Sequence, residues 1–351
     1  MTDARTLSLV GGVLLLLGIA SAVAHFLRNR ADSNLDAAMV ETFRRRVGAW
    51  LVLFTLLAMA FLVGRIATVV FFGLIGFWAL REFITLTPTR PGDHRTLFVV
   101  FFFWAPLQFV LVGADRYGGY SILVPVYAFL LIPAQIALSG DSKRFLERTA
   151  KIQAGLLICV YCLSHAPALL NLKLPPVADQ ARVAAPAGLA AGSATDDQGA
   201  ASPPSADASG PVRLLFFFIL MVQLSDAFQY AWAQLPSRHV IVPTISPTKT
   251  WEGLLGGTAS VALVGAGLWW ATPFPYWLAA AMSAIVSLLV VAGSLTMSAI
   301  KRDRGVKYYG TLVEGHGGVL DRIDSLCFAA PIFFHFTRYY LIYIEAMPPV
   351  R

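Results

Sequence analysis

Residues 298–324 read SAIKRDRGVKYYGTLVEGHGGVLDRID and join two apolar runs, 277–300 and 325–346. The stretch contains five Lys or Arg, four carboxylates, one His and five Gly. Each flanking run is long enough to cross a bilayer as a helix, which takes about 20 apolar residues. The stretch is therefore predicted to be a polar loop between two membrane spans. Its charge density indicates a phosphate-rich ligand at the membrane surface.

The whole chain has the composition of a membrane protein. Its 351 residues are 57% hydrophobic and 13% charged, whereas soluble proteins are about 25% charged. The apolar runs predict an all-α, polytopic protein with about ten transmembrane helices. We break the apolar stretch 47–86 at Gly64-Arg65, because one helix of that length would be about twice as long as a membrane is thick. The ten predicted spans are 7–27, 47–63, 66–86, 96–113, 120–138, 152–172, 211–231, 253–272, 277–300 and 325–346.

Lysine and arginine counts predict the orientation. With both termini outside, the inner loops hold 18 Lys or Arg and the outer segments hold 6, as the positive-inside rule requires. The run 7–27 is expected to be a retained helix rather than a signal peptide, because its arginines follow it. These patterns predict a multi-pass protein of a bacterial inner membrane, with the 301–324 loop in the cytoplasm.

Three regions are predicted along the chain. Residues 1–174 form an N-terminal group of transmembrane helices, and residues 211–351 form a C-terminal region that carries the polar motifs. Residues 175–210 between them are rich in Ala, Pro, Ser, Gly and Asp and lack aromatic residues. Such a composition is typical of a disordered linker, because it cannot bury enough apolar surface.

The central loop contains a pattern that suits phosphate binding. Ser298, Lys301 and Arg302 share one helix face, and Lys307 adds a cation. A turn follows that consists of Gly315, His316, Gly317 and Gly318. Its N–H groups can form an anion-binding concavity. The cations alone favour an ordinary positively charged cytoplasmic loop with helix caps, whereas topology requires neither the glycines nor the paired carboxylates that follow.

Paired carboxylates follow this turn. Asp321 and Asp324 are three residues apart and lie on one face of the predicted last helix, with Arg322 between them. Mg²⁺ is usually held by one or two carboxylates together with phosphate oxygens of a substrate. The pattern therefore predicts Mg²⁺ with a polyphosphate.

A second polar cluster lies in the preceding cytoplasmic loop. Asp226 ends the seventh predicted span, and acids near the membrane are functional candidates. Ser246 and Pro247 are predicted to be the N-cap and first residue of a helix, whose free N–H groups could bind phosphate beside Lys249. The alternative is an ordinary helix start with Trp251 as an interfacial anchor.

Two further patterns predict packing rather than chemistry. Arg81 and Glu82 end a helix on the cytoplasmic side, where a local ion pair is expected. Gly253 and Gly257 have the small-xxx-small spacing that lets membrane helices approach closely.

Two motifs resemble those of one known family. The pattern S-x-x-K-R, then K, then G-H-G-G-x-x-D-R-x-D, from Ser298 to Asp324, is similar to the C-terminal motif of phosphatidate cytidylyltransferases. Residues 246–253, SPTKTWEG, resemble that family's S-P-x-K-T-W-E-G, and Asp226 resembles the acid in its preceding helix. The resemblance covers residues 220–340.

The resemblance implies a polytopic, often dimeric enzyme that transfers CMP from CTP to phosphatidic acid, with Mg²⁺ as cofactor and no nucleic-acid partner. It implies catalytic roles for Lys301, Arg302, His316 and Asp321. It implies substrate binding by Ser246, Lys249, Ser298, Lys307, Gly315, Gly317, Gly318 and Arg322. It implies metal binding by Asp226, Asp321 and Asp324.

The sequence departs from the family pattern at three positions. Ser294 and Tyr308 stand where relatives usually have carboxylates, and Glu314 stands where they usually have Pro. These departures leave open a catalytically silent relative that binds a lipid or a partner. A CTP-dependent lipid kinase is a further alternative. A transporter is disfavoured, because the charges gather in loops on one side rather than near the middle of the membrane.

Overall fold

The computed structural model describes residues 63–86, 89–174, 210–234, 239–310 and 317–346, with scattered positions between 11 and 61. Most of the predicted spans 7–27 and 47–63 and nearly all of the linker 175–210 lie outside the described residues. Glu314, Gly315 and His316 also lie outside them.

Long helices make up most of the described chain. They are α1 (Arg65–Thr85), α2 (Pro91–Gly113), α3 (Tyr117–Ala137), α4 (Phe145–Asn171), α5 (Gly210–Trp232), α6 (Trp251–Gly267), α7 (Tyr276–Asp303) and α8 (Leu320–Ala346). Within the described residues, α1 to α5 and α7 are long and apolar enough to cross a membrane. The chain is thus a polytopic helical membrane protein.

The number of spans is not settled at ten. Among the described helices, six meet the length and composition of a membrane span. Helix α6 has 17 residues, or about 25 Å, which is shorter than the apolar core of a bilayer. Helix α8 contains His335 and Arg338, which lower its mean hydropathy. The count of ten remains a prediction.

The predicted break at Gly64 is confirmed. Gly64 has a φ of 123°, a backbone conformation that favours glycine, and α1 begins at the next residue, Arg65. A residue with a side chain would be strained in this conformation, so the glycine at position 64 indicates where the helix is broken.

A short β-hairpin corrects two predictions. Strands β1 (Val240–Val242) and β2 (Ser246–Thr250) pair antiparallel between α5 and α6, so the fold is not purely α-helical. Ser246 therefore lies in a strand and is not a helix N-cap. Proline restricts the residue before it to extended backbone, which favours the strand at Ser246. The true N-cap of α6 is Thr250, whose hydroxyl accepts a 3.0 Å hydrogen bond from Gly253 N.

Glycines bring α5 and α6 together, as their spacing predicts. A Cβ atom at Gly257 would lie 2.7 Å from Cγ of Gln229, and one at Gly253 would lie 2.8 Å from the Gln229 carbonyl oxygen. Neither position accommodates a side chain. This close approach puts the end of α5 beside β2.

A buried ion pair joins α2 to α4. Nε of Arg148 donates a 2.9 Å hydrogen bond to Oδ1 of Asp93, and the two side chains are only 5% and 3% exposed. Arg148 also donates to the backbone carbonyls of Asp141 and Lys143. One guanidinium thus satisfies a buried carboxylate and fixes the loop between α3 and α4.

Candidate active site

A polar cavity of about 400 Å³ lies between α5, β2, the start of α6, α7 and α8. We call it the polar cavity. Seven of the residues that the sequence predicts for the site line it: Asp226, Lys249, Ser298, Lys301, Asp321, Arg322 and Asp324. The two sequence motifs therefore meet at one site, although α6 and α7 separate β2 from α8 along the chain.

Asp226 and Lys249 form one side of the polar cavity. Nζ of Lys249 lies 3.3 Å from Oδ1 of Asp226 and donates a 2.9 Å hydrogen bond to Oε1 of Gln229. The Lys249 side chain is 17% exposed. Because β2 holds Lys249 against the last turns of α5, its ammonium group points into the cavity rather than into bulk water.

Ser325 joins two carboxylates. Its hydroxyl lies 3.0 Å from Oδ2 of Asp226 and 3.2 Å from Oδ1 of Asp324. Its backbone N–H also donates to Oδ1 of Asp324 at 2.6 Å. The one hydroxyl proton can be donated to only one of the two oxygens at a time. Two like charges this close together are unfavourable unless a cation lies nearby.

Asp321 is held by three donors. Its Oδ1 accepts a 2.9 Å bond from Nζ of Lys301. Its Oδ2 accepts bonds from Tyr309 N at 2.8 Å and Gly318 N at 3.0 Å. Both oxygens therefore have protein partners, and the Gly318 N–H, which the sequence predicts to bind phosphate, donates to a carboxylate of the protein. Gly317 has a φ of +84°, which lets the turn bring the Gly318 N–H to Asp321.

Tyr309 supports the same corner of the cavity. It is 3% exposed, and its hydroxyl donates a 2.8 Å bond to the Met297 carbonyl. Nζ of Lys301 lies 5.3 Å from the centre of its ring, within the range of a cation–π contact. Burial, followed by the nearby charges of Asp324 and Asp321, raises the pKa of Tyr309 above its usual value. The phenol thus stays neutral and positions Lys301.

Five predicted residues are described but do not line the polar cavity. Nε of Arg302 donates to the Ile245 carbonyl at 3.3 Å, at the tip of the hairpin. Lys307 lies 5.4 Å from the centre of the Tyr308 ring. Ser246 is 8% exposed within β2. Gly317 and Gly318 lie in the turn before α8. Gly315 and His316 lie outside the described residues, so their predicted roles stay predictions.

Sequence reasoning missed Gln229, Tyr309 and Ser325. Ser325 directly follows Asp324, so its proximity to the acid could have been anticipated, but its contact with Asp226 depends on how α8 packs on α5. Gln229 lies one turn after Asp226 on α5, and that spacing is a usable signal. Tyr309 gives no such signal in the sequence, because only the folded loop brings its N–H to Asp321.

Glu82 does not form the expected local ion pair. Its carboxylate accepts hydrogen bonds from Val319 N at 3.0 Å and Leu320 N at 2.8 Å. Arg81 instead lies 5.1 Å from the centre of the Trp78 ring. An acid of α1 therefore contacts the start of α8.

The residues present suit a divalent cation held by two carboxylates. Within the described residues, no group of three His, Cys, Asp or Glu side chains lies close enough to form a metal site. Asp226 and Asp324 share the Ser325 hydroxyl, whereas both oxygens of Asp321 are already engaged. Two acidic oxygen donors with room for substrate phosphates are what Mg²⁺ typically takes from a protein.

Long apolar helices and a cavity lined by both acidic and basic side chains define a polytopic membrane protein with a charged cavity. The chain belongs to the cytidylyltransferase family, whose sequence profile matches residues 44–340. Membership supports a nucleotidyltransferase, and it confirms the resemblance drawn from the two motifs.

Relatives match over different lengths. The uncharacterized protein YnbB of Escherichia coli K12 is 32% identical over 298 residues, which cover 84% of this chain and 87% of that protein. The phosphatidate cytidylyltransferase of Synechocystis is 45% identical over 95 residues, 26% of this chain and 32% of that enzyme. That of Staphylococcus aureus COL is 35% identical over 123 residues, 34% of this chain and 47% of that enzyme. The matches to the two named enzymes thus span less than half of each.

Proposed function

We propose that this protein transfers CMP from CTP to phosphatidic acid and releases pyrophosphate and CDP-diacylglycerol. The observation that supports this most directly is the polar cavity. There Lys249 of one motif and Asp226 of the preceding helix meet Lys301, Asp321 and Asp324 of the other motif. The site faces the cytoplasm of a bacterial inner membrane in this proposal, where CTP is available to it.

The reaction joins two anions, so charge neutralisation and positioning are the main tasks of the protein. A phosphate oxygen of the lipid attacks the α-phosphorus of CTP, a new P–O bond forms, and the bond between the α-phosphorus and the bridging oxygen breaks. Pyrophosphate leaves with that oxygen. Lys249, Lys301 and Arg322 line the cavity and supply the positive charge that the phosphates require.

Asp226 and Asp324 are the proposed holders of Mg²⁺. When bound, the metal neutralises phosphate charge and stabilises the leaving pyrophosphate. Ser325 keeps the two carboxylates together through its contacts of 3.0 Å and 3.2 Å. Asp321 has a different task in this proposal, because its bonds to Lys301, Tyr309 and Gly318 fix the ammonium group that faces the substrate.

A second candidate function is a catalytically silent relative that binds lipid or a partner protein. Ser294 favours it, because this hydroxyl lines the polar cavity where relatives usually carry a carboxylate. A hydroxyl is a weaker Mg²⁺ ligand than a carboxylate. Tyr308, at 41% exposure, likewise supplies no acid.

Product analysis tests the proposal. Purified protein in detergent is given CTP, phosphatidic acid and Mg²⁺, and pyrophosphate release is compared with a reaction that lacks lipid. Lipid-dependent pyrophosphate and CDP-diacylglycerol are expected. Release of CDP instead would indicate a CTP-dependent lipid kinase. Absence of any product, from folded protein that binds CTP, would support the silent relative. The oligomeric state in the same detergent tests the homodimer that the resemblance implies.

A further inference from the structure

Glu82 lies on α1, far from the two sequence motifs, yet it contacts the first residues of α8. Glu82 is only 4% exposed to solvent. Oε1 accepts the backbone N–H of Val319 at 3.0 Å, and Oε2 accepts that of Leu320 at 2.8 Å. The indole N–H of Trp78 donates to Oε1 at 3.2 Å. Each carboxylate oxygen therefore has a backbone donor from the start of α8.

The loop around this contact is shaped to admit the carboxylate. A Cβ atom at Gly310 would lie 2.6 Å from Oε1 of Glu82, and one at Gly318 would overlap the same carboxylate. Glycine is therefore required at both positions while Glu82 occupies this place. Two separate parts of the loop, before and after its undescribed residues, close around one side chain of α1.

The charge of Glu82 suits its position. The first N–H groups of a helix have no partner within the helix, and they carry partial positive charge. Hydrogen bonds from such groups to a carboxylate are shorter and stronger than those between neutral groups. A buried carboxylate with these donors fixes both the position and the direction of the helix end.

That helix end also carries Asp321, which lines the polar cavity. Asp321 is the residue after Leu320, and its Oδ2 accepts the N–H of Gly318 at 3.0 Å, one residue before Val319. Asp321 in turn holds Nζ of Lys301 at 2.9 Å. Glu82 thus lies two hydrogen bonds away from the ammonium group that lines the polar cavity.

We propose that Glu82 is a positioning residue of the active site, through which the N-terminal helices hold α8, Asp321 and Lys301 in register with the substrate. This inference rests on the proposed function. It gives α1 a part in the chemistry that the motifs alone do not assign. A displacement of about 1 Å at a reacting group can cost a hundredfold in rate, so loss of this contact acts on kcat.

The test uses the full chain in detergent, with Glu82→Gln, Glu82→Asp and Glu147→Gln. Glutamine keeps the shape of Glu82 but presents an N–H₂ group to one of the two backbone donors. Aspartate keeps the charge on a shorter side chain. Glu147, a 41% exposed acid that pairs with Lys151, serves as the control. For each protein, kcat, the KM for CTP, the melting temperature and amide hydrogen exchange at 317–326 are measured.

Glu82→Gln is expected to lower kcat at least tenfold, with less than a threefold change in the KM for CTP, and to speed exchange at Val319 and Leu320. Glu82→Asp should fall between this variant and the wild type, and Glu147→Gln should match the wild type. A lower melting temperature with kcat unchanged in the folded fraction would overturn the proposal. Should Glu82→Gln fail to fold, the kcat of Glu82→Asp decides by the same criterion.

Failure of the proposed function can be distinguished from failure of the positioning role. Wild-type protein without lipid-dependent pyrophosphate release refutes the cytidylyltransferase, while hydrogen exchange still tests the contact. Unchanged exchange at 317–326 in Glu82→Gln would then overturn the positioning role on its own.

Discussion

The hydroxyl of Ser325 lies 3.0 Å from Oδ2 of Asp226, which joins α8 to α5 inside the polar cavity. The same hydroxyl contacts Asp324 at 3.2 Å. Both acids therefore lie where the proposed metal binds. Replacing either one by a neutral residue removes a negative charge from that place.

Asp226→Asn and Asp324→Asn are each expected to lower kcat at least a hundredfold, because each removes one of two anionic metal ligands. Asp303→Asn is the matched control, since Asp303 is the last residue of α7 and its side chain is 67% exposed. Pyrophosphate release at several Mg²⁺ concentrations measures the effect. Activity in Asp226→Asn equal to that of Asp303→Asn would refute the metal assignment.

Ser294→Asp is expected to increase turnover and to reduce the Mg²⁺ concentration needed for half-maximal rate. Ser294 lines the polar cavity, so a carboxylate there adds a charged oxygen donor to the site. Ser294→Asn has nearly the same shape without the charge and serves as the control. Equal rates in the two variants would mean that the missing acid does not limit metal binding.

Lys301→Met is expected to lower kcat more than a hundredfold, because it removes the ammonium group that Asp321 and Tyr309 position. Lys301→Arg should retain part of the rate, since its charge remains. Asp321→Asn should also lose most activity. A double variant, Lys301→Met with Asp321→Asn, should be little worse than either single change, because contacting residues are not additive. Additive losses would show that the two residues act separately.

Alkaline pH is expected to destabilise the wild type more than Tyr309→Phe. The pKa of Tyr309 is raised in the folded state by burial, so the folded protein holds this proton more tightly than the unfolded chain. Stability from this group is complete below the unfolded pKa of about 10 and falls as pH rises above it. Melting temperatures between pH 8 and 11 measure it. Parallel curves for the two proteins would contradict the burial of the phenol.

Arg148→Met is expected to cost about 3–5 kcal/mol of stability, because it leaves the buried carboxylate of Asp93 without its partner. The pair is 5% and 3% exposed. Adding Asp93→Asn should recover part of the loss, since the unpaired charge is then removed. Denaturation in one detergent compares the three proteins. A double variant less stable than Arg148→Met would show that the charge is not the cause.

Periodicity and charge predicted what depends on local sequence. The apolar runs predicted the ends of α1 and α5 to within a few residues. Gly64 marked the break before α1, because a positive φ at that position is a local backbone property that glycine favours. The spacing of Asp321 and Asp324 predicted one helix face, and both line the cavity. The predictions that were wrong depend on tertiary contacts, or on sequence patterns that suit two kinds of secondary structure. Ser246 followed by proline suits either a strand or a helix start, and pairing with β1 decides for the strand.

Glu82 illustrates the other limit. An Arg and a Glu next to each other give no hint of a partner more than 230 residues further along the chain. Nothing in the motif around Asp321 indicates that the start of its helix is held from α1. Such information exists only in the packed structure, because the N–H groups involved are backbone atoms that every residue shares.

The contact between Glu82 and α8 also bears on how the protein is made. Among the described elements, α8 is synthesised after all others that line the polar cavity, and it brings Asp324 and Ser325 with it. Until it arrives, Glu82 lacks its two backbone donors, Val319 N and Leu320 N, and Asp226 lacks the Ser325 hydroxyl. Contacts between residues so distant in sequence form slowly. Docking of α8 is therefore the step that completes the site, because Asp324, Ser325 and the backbone donors to Glu82 all arrive with it.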